Sequence, residues 1–399
     1  MADTPWLTIV GMGEDAPDGL PPASLAALEA AEIVMGPPRH LGLLPELTAE
    51  RIAWPVPFAD GIARLLSLRG RRVVVLASGD PFWFGAGGSL ARHLAPGEWT
   101  ALPGPSTFSL VAARMGWPLE RTECLGLHAA PLARLRPVLA EGVRMIVLLR
   151  DGAAVRGLAD YLRDAGFGAS QMTVFESICG LRERRTDTKP AELPDIGFAH
   201  PVCAAVEVQG DGAVLPLASG RPDAWFDSDG QMTKRPVRAL TLSALAPRPF
   251  EHLWDIGGGT GSVGIEWLLA HPSVTATTIE PREDRAARIA QNAARLGVER
   301  LAVVQGAAPE ALSGLPSPDA VFIGGGLSRA LLDWLEAHLP RGVRIVANAV
   351  TLESEALLTQ ARARLGGDLL RIELAQAAPL GGRTGWKSSY PMVQWSAVL

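Results

Sequence analysis

The residues best placed to do chemistry are two carboxylates around a run of glycines. Asp255 precedes Gly257-Gly258-Gly259-Thr260-Gly261, and Glu280 follows 23 residues after Gly257. Glycine lets a backbone turn sharply and approach a ligand with no side chain between them. A helix start just beyond such a turn offers free N–H groups. A carboxylate about 20 residues on, at the end of the next strand, can accept both hydroxyls of a ribose. The glycines depart from the dinucleotide pattern, which needs a third glycine for close helix packing and feeds a pyrophosphate to the helix N-terminus. Asp255 would repel a phosphate, so a cationic or neutral nucleoside fits better. S-adenosylmethionine has a sulfonium, an amino-acid head and a ribose, and no phosphate. A plain strand-to-helix turn is the alternative reading of the glycines alone.

The elements that must hold these residues follow from hydrophobic patterning. Leu253 to Ile256 reads as a strand, and Val263, Ile265, Trp267, Leu268 and Leu269 as the helix after the turn. Val274 to Ile279 is an apolar, β-branched strand ending in Glu280. Glu283 to Leu296 is a helix closed by Gly297. Further strands are expected at Val303–Gln305, Asp319–Ile323, Arg344–Asn348, Leu369–Gln376 and Met392–Leu399, which makes seven in this half. Gly306-Ala307-Ala308 and Gly324-Gly325-Gly326 open the third and fourth strand ends. The stretch 381–387 separates the last two strands.

In the first half, Leu7–Val10 leads into Gly11-Met12-Gly13, and Arg71–Ala77 leads into Ser78-Gly79-Asp80-Pro81. Ala101-Leu102 precedes Pro103-Gly104-Pro105-Ser106-Thr107, where Ser106 or Thr107 can cap the helix Phe108–Met115. A near-continuous apolar strand such as Val73–Ala77 marks a parallel sheet covered on both faces. Loops beyond its carboxyl end are where such folds place ligands. The aromatic run Phe82-Trp83-Phe84 suits either a pocket lip or a buried cap. After Pro118 the pattern changes. Strands are expected around Cys124, Met145–Leu149, Met172–Phe175 and Val202–Val208, with a charged surface loop at 182–188. This half reads as two α/β lobes with a cleft.

Composition narrows the class. The 399 residues are 48% hydrophobic and 20% charged, with a net charge of −5, which suits a globular chain of more than one domain and no nucleic-acid platform. The three cysteines, Cys124, Cys179 and Cys203, are too scattered for a metal knuckle and fit a reducing, cytoplasmic setting. The seven histidines form no ligand cluster, so no metal is expected. Met1 to Trp6 carries no signal pattern, and no apolar run of about 18 residues suggests a membrane span. Domains are expected at 1–212 (lobes 1–117 and 118–212) and 223–399, joined by a Gly/Pro-rich linker at 213–222. Lys234, Arg235 and Arg238 lie within five residues. They are either a solvated face or a flap that clamps substrate acids.

Val10-Gly11-Met12-Gly13, Ser78-Gly79-Asp80-Pro81 and Pro103-Gly104-Pro105-Ser106 together resemble the tetrapyrrole methylase family across about residues 5–210. Glu14 and Asp15 stand where many members carry Pro-Gly-Asp. Gly36-Pro37-Pro38-Arg39-His40-Leu41 is most similar to the precorrin-6Y branch. Residues 225–399 resemble the decarboxylating precorrin methylases through 230–238, 254–262, Ile279-Glu280, 322–326 and Asn348-Ala349-Val350. The third-strand loop has no acid to hold an adenine amino group. The two halves in one chain resemble the fused precorrin-6Y C-methyltransferases of cobalamin synthesis.

That resemblance implies a two-lobed methylase fold followed by a seven-stranded, Rossmann-like class I methyltransferase. It implies two S-adenosylmethionine sites and a small tetrapyrrole substrate, precorrin-6B, methylated at carbons 5 and 15 with loss of the ring C acetate carboxyl. Expected cofactor residues are Gly11, Gly13, Ser78, Gly79, Asp80, Ser106 and Thr107 in the first half. In the second they are Asp255, Gly257, Gly259, Gly261, Glu280, Gly306, Ala307 and Gly324. Lys234, Arg235, Arg238, Asn348 and Arg383 are expected to meet the substrate. Positioning rather than acid–base groups would carry the reaction, and a homo-oligomer without nucleic-acid or membrane partners is expected. A methyltransferase for another tetrapyrrole, a nicotinamide-dependent oxidoreductase and a non-catalytic ligand-binding module remain the alternatives.

Overall fold

The computed structural model describes residues 5–399; the first residues of the stretch read for a signal lie outside them. The chain forms two compact units. One comprises the described residues to Leu132 with Val138–Ala213, the other Ala133–Pro137 with Val214–Leu399.

The first unit contains two five-stranded sheets. β1 (Leu7–Met12), β2 (Ile33–Gly36), β3 (Glu50–Ala53), β4 (Val73–Ser78) and β5 (Trp99–Leu102) form an all-parallel sheet in the order β3-β2-β4-β1-β5. Its alternation explains the unbroken apolar runs. Leu7, Ile9, Val73 and Val75 enter the core on one face, and Val10, Met12, Val74 and Leu76 the core on the other. A strand covered on both faces leaves few positions for a polar residue.

β6 (Glu123–Gly126), β7 (Arg144–Leu149), β8 (Gln171–Glu176), β9 (Arg184–Thr188) and β10 (Val202–Glu207) form the second sheet, ordered β6-β7-β10-β8-β9. Its pairs are antiparallel except β6 with β7. The stretch expected as a charged loop at 182–188 is therefore largely a strand. Its polar sequence suits an exposed sheet edge, where charge discourages further pairing.

The second unit is a seven-stranded sheet. β11 (His252–Ile256), β12 (Thr275–Glu280), β13 (Ala302–Gln305), β14 (Ala320–Ile323) and β15 (Arg344–Ala349) run parallel. β16 (Asp368–Ile372) pairs antiparallel with the last strand, β19 (Met392–Val398). The order is β13-β12-β11-β14-β15-β19-β16. The expected strand Leu369–Gln376 is two strands. Its end becomes β17 (Ala375–Leu380), which pairs with β18 (Arg383–Ser388) where a separator was expected. This hairpin is mostly exposed, so no burial period marks it in the sequence.

Residues 214–222 belong to the second unit. Leu215 enters its core, and Gly220 and Arg221 donate their backbone N–H groups to Glu266 at 2.7 and 2.9 Å.

Candidate functional site

In the second unit a cavity of about 550 Å³ opens at the carboxyl ends of the parallel strands. Its floor is the turn between β11 and the helix Ser262–Ala270. Gly257, Gly259 and Gly261 adopt positive φ of 73°, 58° and 75° there. A Cβ on Gly257 would lie 2.6 Å from the Cα of Gly325. The glycine loops of β11 and β14 thus meet backbone to backbone, which no side chain would permit.

Gly257, Gly259, Glu280, Gly306, Ala307 and Gly324 all line this cavity. Glu280 is 3% exposed, and each of its oxygens is anchored. Oε2 accepts from Gly259 N at 2.9 Å and Oε1 from Arg282 N at 3.1 Å. Both oxygens keep a lone pair for a ligand.

Two expected cofactor residues do not reach the cavity lining. Asp255 is buried beneath the turn, where Oδ2 accepts from Gly264 N at 3.1 Å and from the Thr278 hydroxyl at 3.3 Å. It ties the glycine turn to the helix and to β12. Burial pushes its carboxyl up to about 7, and the neighbouring Glu280 charge adds to the rise. Gly261 serves the fold: a Cβ there would press within 2.7 Å of Ile289 Cγ2.

The expected substrate cations separate sharply. Lys234 lines the cavity and has no ion-pair partner among the described residues. Arg235 turns back, its Nε donating to Gly220 O at 2.8 Å. Arg238 is 0% exposed. It donates to Glu266 Oε1 at 2.6 Å and Asp223 Oδ1 at 3.1 Å, and it lies over the Phe226 ring. It is a core ion-pair residue, not a substrate clamp. Arg383 sits exposed on β18, away from the cavity lining.

Arg285, which was not expected, lines the cavity and pairs with Asp229 at 2.8 Å. That pairing holds the Asp229 carboxyl down at about 2. The segment it secures includes Gln231, Met232 and Thr233, which also line the cavity. Asn292 fixes the same segment by accepting from Asp227 N at 2.9 Å and donating to Asp227 O and Thr260 O at 3.0 Å. The three cations at 234–238 hinted at such a flap, but the acid partners that pin it became visible only in three dimensions. Asn348 lines the cavity at the end of β15.

The first unit holds a second cavity of about 430 Å³ between its two sheets. Gly13, Ser78, Gly79, Asp80, Ser106 and Thr107 line it. Gly11 does not: a Cβ there would fall 1.8 Å from Gly79 O and 2.6 Å from Gly104 N. Its role is to let three loop backbones cross. Gly79 N donates to Met12 O at 2.9 Å and Gly104 N to Gly79 O at 3.1 Å. Asp80 Oδ1 accepts from Phe82 N at 2.8 Å and fixes the loop. Ser106 is the helix cap, accepting from Ser109 N at 3.1 Å. Trp83 and Phe84 are half-exposed cavity walls resting on Phe108, with ring centroids 4.8 and 5.7 Å away.

Arg39 and His40 join this cavity without having been expected there. Arg39 pairs with Glu14 and directs Nη2 to His40 Nε2 at 2.9 Å and to Ser78 Oγ at 3.3 Å. A guanidinium only donates, so His40 Nε2 is the unprotonated acceptor. Burial, then the charges of Arg39 and His200, push His40 down to about 3. The sequence signal was the 36–41 run, which carried the family likeness without disclosing a role. No group of His, Cys, Asp and Glu among the described residues could hold a metal.

A family model described as tetrapyrrole (corrin/porphyrin) methylases matches residues 6–194, and one described as a precorrin methyltransferase domain matches 224–399. A Sinorhizobium protein named precorrin-6Y C(5,15)-methyltransferase (decarboxylating) is 50% identical over 398 residues, 98% of this chain and 96% of that protein. The chain belongs to the precorrin-6Y C(5,15)-methyltransferase family. A Salmonella typhimurium protein named cobalt-precorrin-6B C(15)-methyltransferase (decarboxylating) is 36% identical over 166 residues, 40% of this chain and 85% of that protein. The solved C-terminal domain of precorrin-6Y C5,15-methyltransferase from Rhodobacter capsulatus is 58% identical. It covers 46% of this chain and 100% of its own, with a TM-score of 0.45.

The donor set in the second unit fits S-adenosylmethionine. A buried carboxylate stands beside a glycine turn, which suits a ribose against the backbone. An apolar lining that includes Ile279, Val263 and Phe322 can receive a flat base.

Proposed function

We propose that the two units divide one biosynthetic task, each with its own cofactor site. The chain is an S-adenosylmethionine-dependent precorrin methyltransferase that also decarboxylates its substrate, in cobalamin biosynthesis. In this reading the first unit methylates carbon 5 of precorrin-6B. The second methylates carbon 15 and removes the carboxyl of the ring C acetate, giving precorrin-8. The observation that carries the division is one ligand-sized cavity in each unit, at the strand ends of the second unit's sheet and between the two sheets of the first.

When bound, S-adenosylmethionine supplies an electrophilic methyl carbon on a sulfonium. The chain's residues position the partners. Glu280 would hold the ribose, and the glycine turns at Gly257 and Gly324 would let the ligands reach the backbone. Lys234, a cavity cation without an acid partner among the described residues, would take a substrate carboxylate. In the first unit, Gly13, Ser78–Asp80, Ser106 and Thr107 would hold the cofactor. Arg39 would meet substrate acids there, while Trp83 and Phe84 offer a flat apolar wall. Holding reactants in near-attack geometry can supply much of the barrier reduction. We also propose residence in the cytoplasm, consistent with three free cysteines. Self-association is proposed on the exposed apolar side chains of Leu380, Trp386 and Tyr390.

Mass spectrometry of the products tests the division. Residues 214–399 with precorrin-6B and S-adenosylmethionine should give a product one methyl heavier and one carbon dioxide lighter. Residues 1–213 should add a methyl without decarboxylation, to precorrin-6B or to the first fragment's product. Carbon dioxide loss with residues 1–213 alone would overturn the reading.

A further inference from the structure

We infer that Asn348 holds the acetate that leaves as carbon dioxide, and that Gln394 and Thr241 set which face of its amide the acetate meets. This inference rests on the reading of the second unit's cavity as the decarboxylating site.

Asn348 on β15 and Gln394 on β19 are direct partners across an antiparallel ladder. Their side chains therefore share one face of the sheet. The helix Arg235–Leu245 brings Thr241 to them. Gln394 is 3% exposed and Thr241 0%. Gln394 Nε2 donates to Asn348 Oδ1 at 3.0 Å and to Thr241 Oγ1 at 3.2 Å. Asn348 Nδ2 donates to Thr241 Oγ1 at 2.9 Å.

A primary amide has one oxygen and two N–H hydrogens. The inward bonds use the oxygen and one hydrogen. The second hydrogen is left for the cavity that Asn348 lines. Because Gln394 supplies a donor to Oδ1, the amide cannot turn over without burying an unpaired group, which is costly. The cavity is therefore offered a donor at this point, and the ligand atom that fits it is an acceptor.

The surrounding lining is apolar: Val350, Ile372, Leu374 and Met392 come from the same end of the sheet. Two cations line other parts of the cavity. Arg285, on the helix after β12, is paired with Asp229. Lys234 stands at the start of the Arg235–Leu245 helix, about 10 Å of helix rise from Thr241, where it would take a different carboxylate of the substrate. This suits a carboxylate that must be oriented but not strongly stabilised. In decarboxylation, the bond between the acetate methylene and its carboxyl carbon breaks. The electron pair passes into the conjugated ring and carbon dioxide departs. A proton from water then completes the methyl group. Negative charge leaves the carboxyl oxygens as the bond breaks. A guanidinium there would stabilise the starting carboxylate more than the transition state and slow the step. A single neutral N–H fixes the acetate's direction with far less of that penalty.

The test uses the full chain with precorrin-6B and S-adenosylmethionine, reading product masses. Gln394→Glu replaces the inward donor by a carboxylate, so the Asn348 amide must turn over and present its oxygen. Among methylated products, the share retaining the carboxyl should rise at least ten-fold, although Asn348 itself is unchanged. Asn348→Asp, which faces the acetate with a like charge, should shift the share in the same direction. Gln394→Met, which lets the amide rotate, should give an intermediate share and serves if Gln394→Glu does not fold. S-adenosylhomocysteine affinity and the thermal midpoint are measured alongside. A merely structural role would lower methyl transfer and carbon dioxide loss in proportion. That result, or a native product ratio in these variants, would overturn the inference. If the unaltered chain itself releases no carbon dioxide from precorrin-6B, the reading of the cavity fails instead.

Discussion

Asp255→Asn should remove a pH dependence that the native fold carries beneath its glycine turn. Burial raises the Asp255 carboxyl from its ordinary value of 3.8 to about 7. The folded state therefore holds this proton more tightly than the unfolded chain. The stability it contributes is complete below about pH 4 and is lost as pH rises through about 7. Between pH 5 and 7 the slope approaches about 1.4 kcal/mol per pH unit, a loss of roughly 2–3 kcal/mol. At about 2–4 °C per kcal/mol for a unit of this size, the second unit's midpoint should fall by roughly 5–10 °C between pH 5 and 8. The asparagine cannot ionise, yet it keeps an oxygen for the Gly264 N–H and the Thr278 hydroxyl. His252 titrates with the opposite sense in this range, since burial holds it below its ordinary value, whereas Asp229, held down at about 2, stays ionised throughout. They are present in both proteins, so the native-minus-variant difference isolates Asp255. Calorimetry of the second unit's transition in the full chain, across pH 5 to 8, reads it. Parallel curves for the two proteins would refute the reasoning.

Glu280→Gln should weaken S-adenosylhomocysteine binding at the second unit about ten-fold or more, because a hydrogen bond to a charged group is worth roughly 1.5–3 kcal/mol. Calorimetric titration of the full chain would show this, and unchanged affinity throughout would remove Glu280 from the site. Glu266→Ala should cost the second unit about 3–5 kcal/mol, since it strands Arg238 and Arg221 without their buried anion. Urea unfolding of that unit reads the loss, and a change below about 1 kcal/mol would mean that water or Asp223 takes over.

Much of the architecture was legible in the chain itself. A strand buried on both faces is almost continuously apolar, so β4 announced itself. A turn that brings backbones into contact must be glycine, so the loops at Gly11, Gly79, Gly257 and Gly324 stood out. Glu280 was legible for the same reason, because a strand's carboxyl end fixes where its last side chain can work. The polar edge strand β9 and the exposed hairpin β17–β18 were not, because neither buries a face that would impose a period on the sequence.

The division of labour among charged residues belonged to the tertiary structure. Lys234 and Arg238 stand on one short segment, and nothing local separates them. Glu266, reaching over from the helix Ser262–Ala270, draws Arg238 into the core and leaves Lys234 at the cavity. Asp255 was placed correctly beside the glycine turn, but Thr278 on the neighbouring strand and the N–H of Gly264 turn it beneath the loop. Arg39 and His40 meet at the first unit's cavity through Ser78 at the end of β4 and, for Arg39, the ion pair with Glu14. Asn348 acquires a defined face only once Gln394 lies opposite it. Strand and turn follow from the neighbours a residue has along the chain, whereas the direction of a charge or an amide follows from partners that folding brings from far away in sequence.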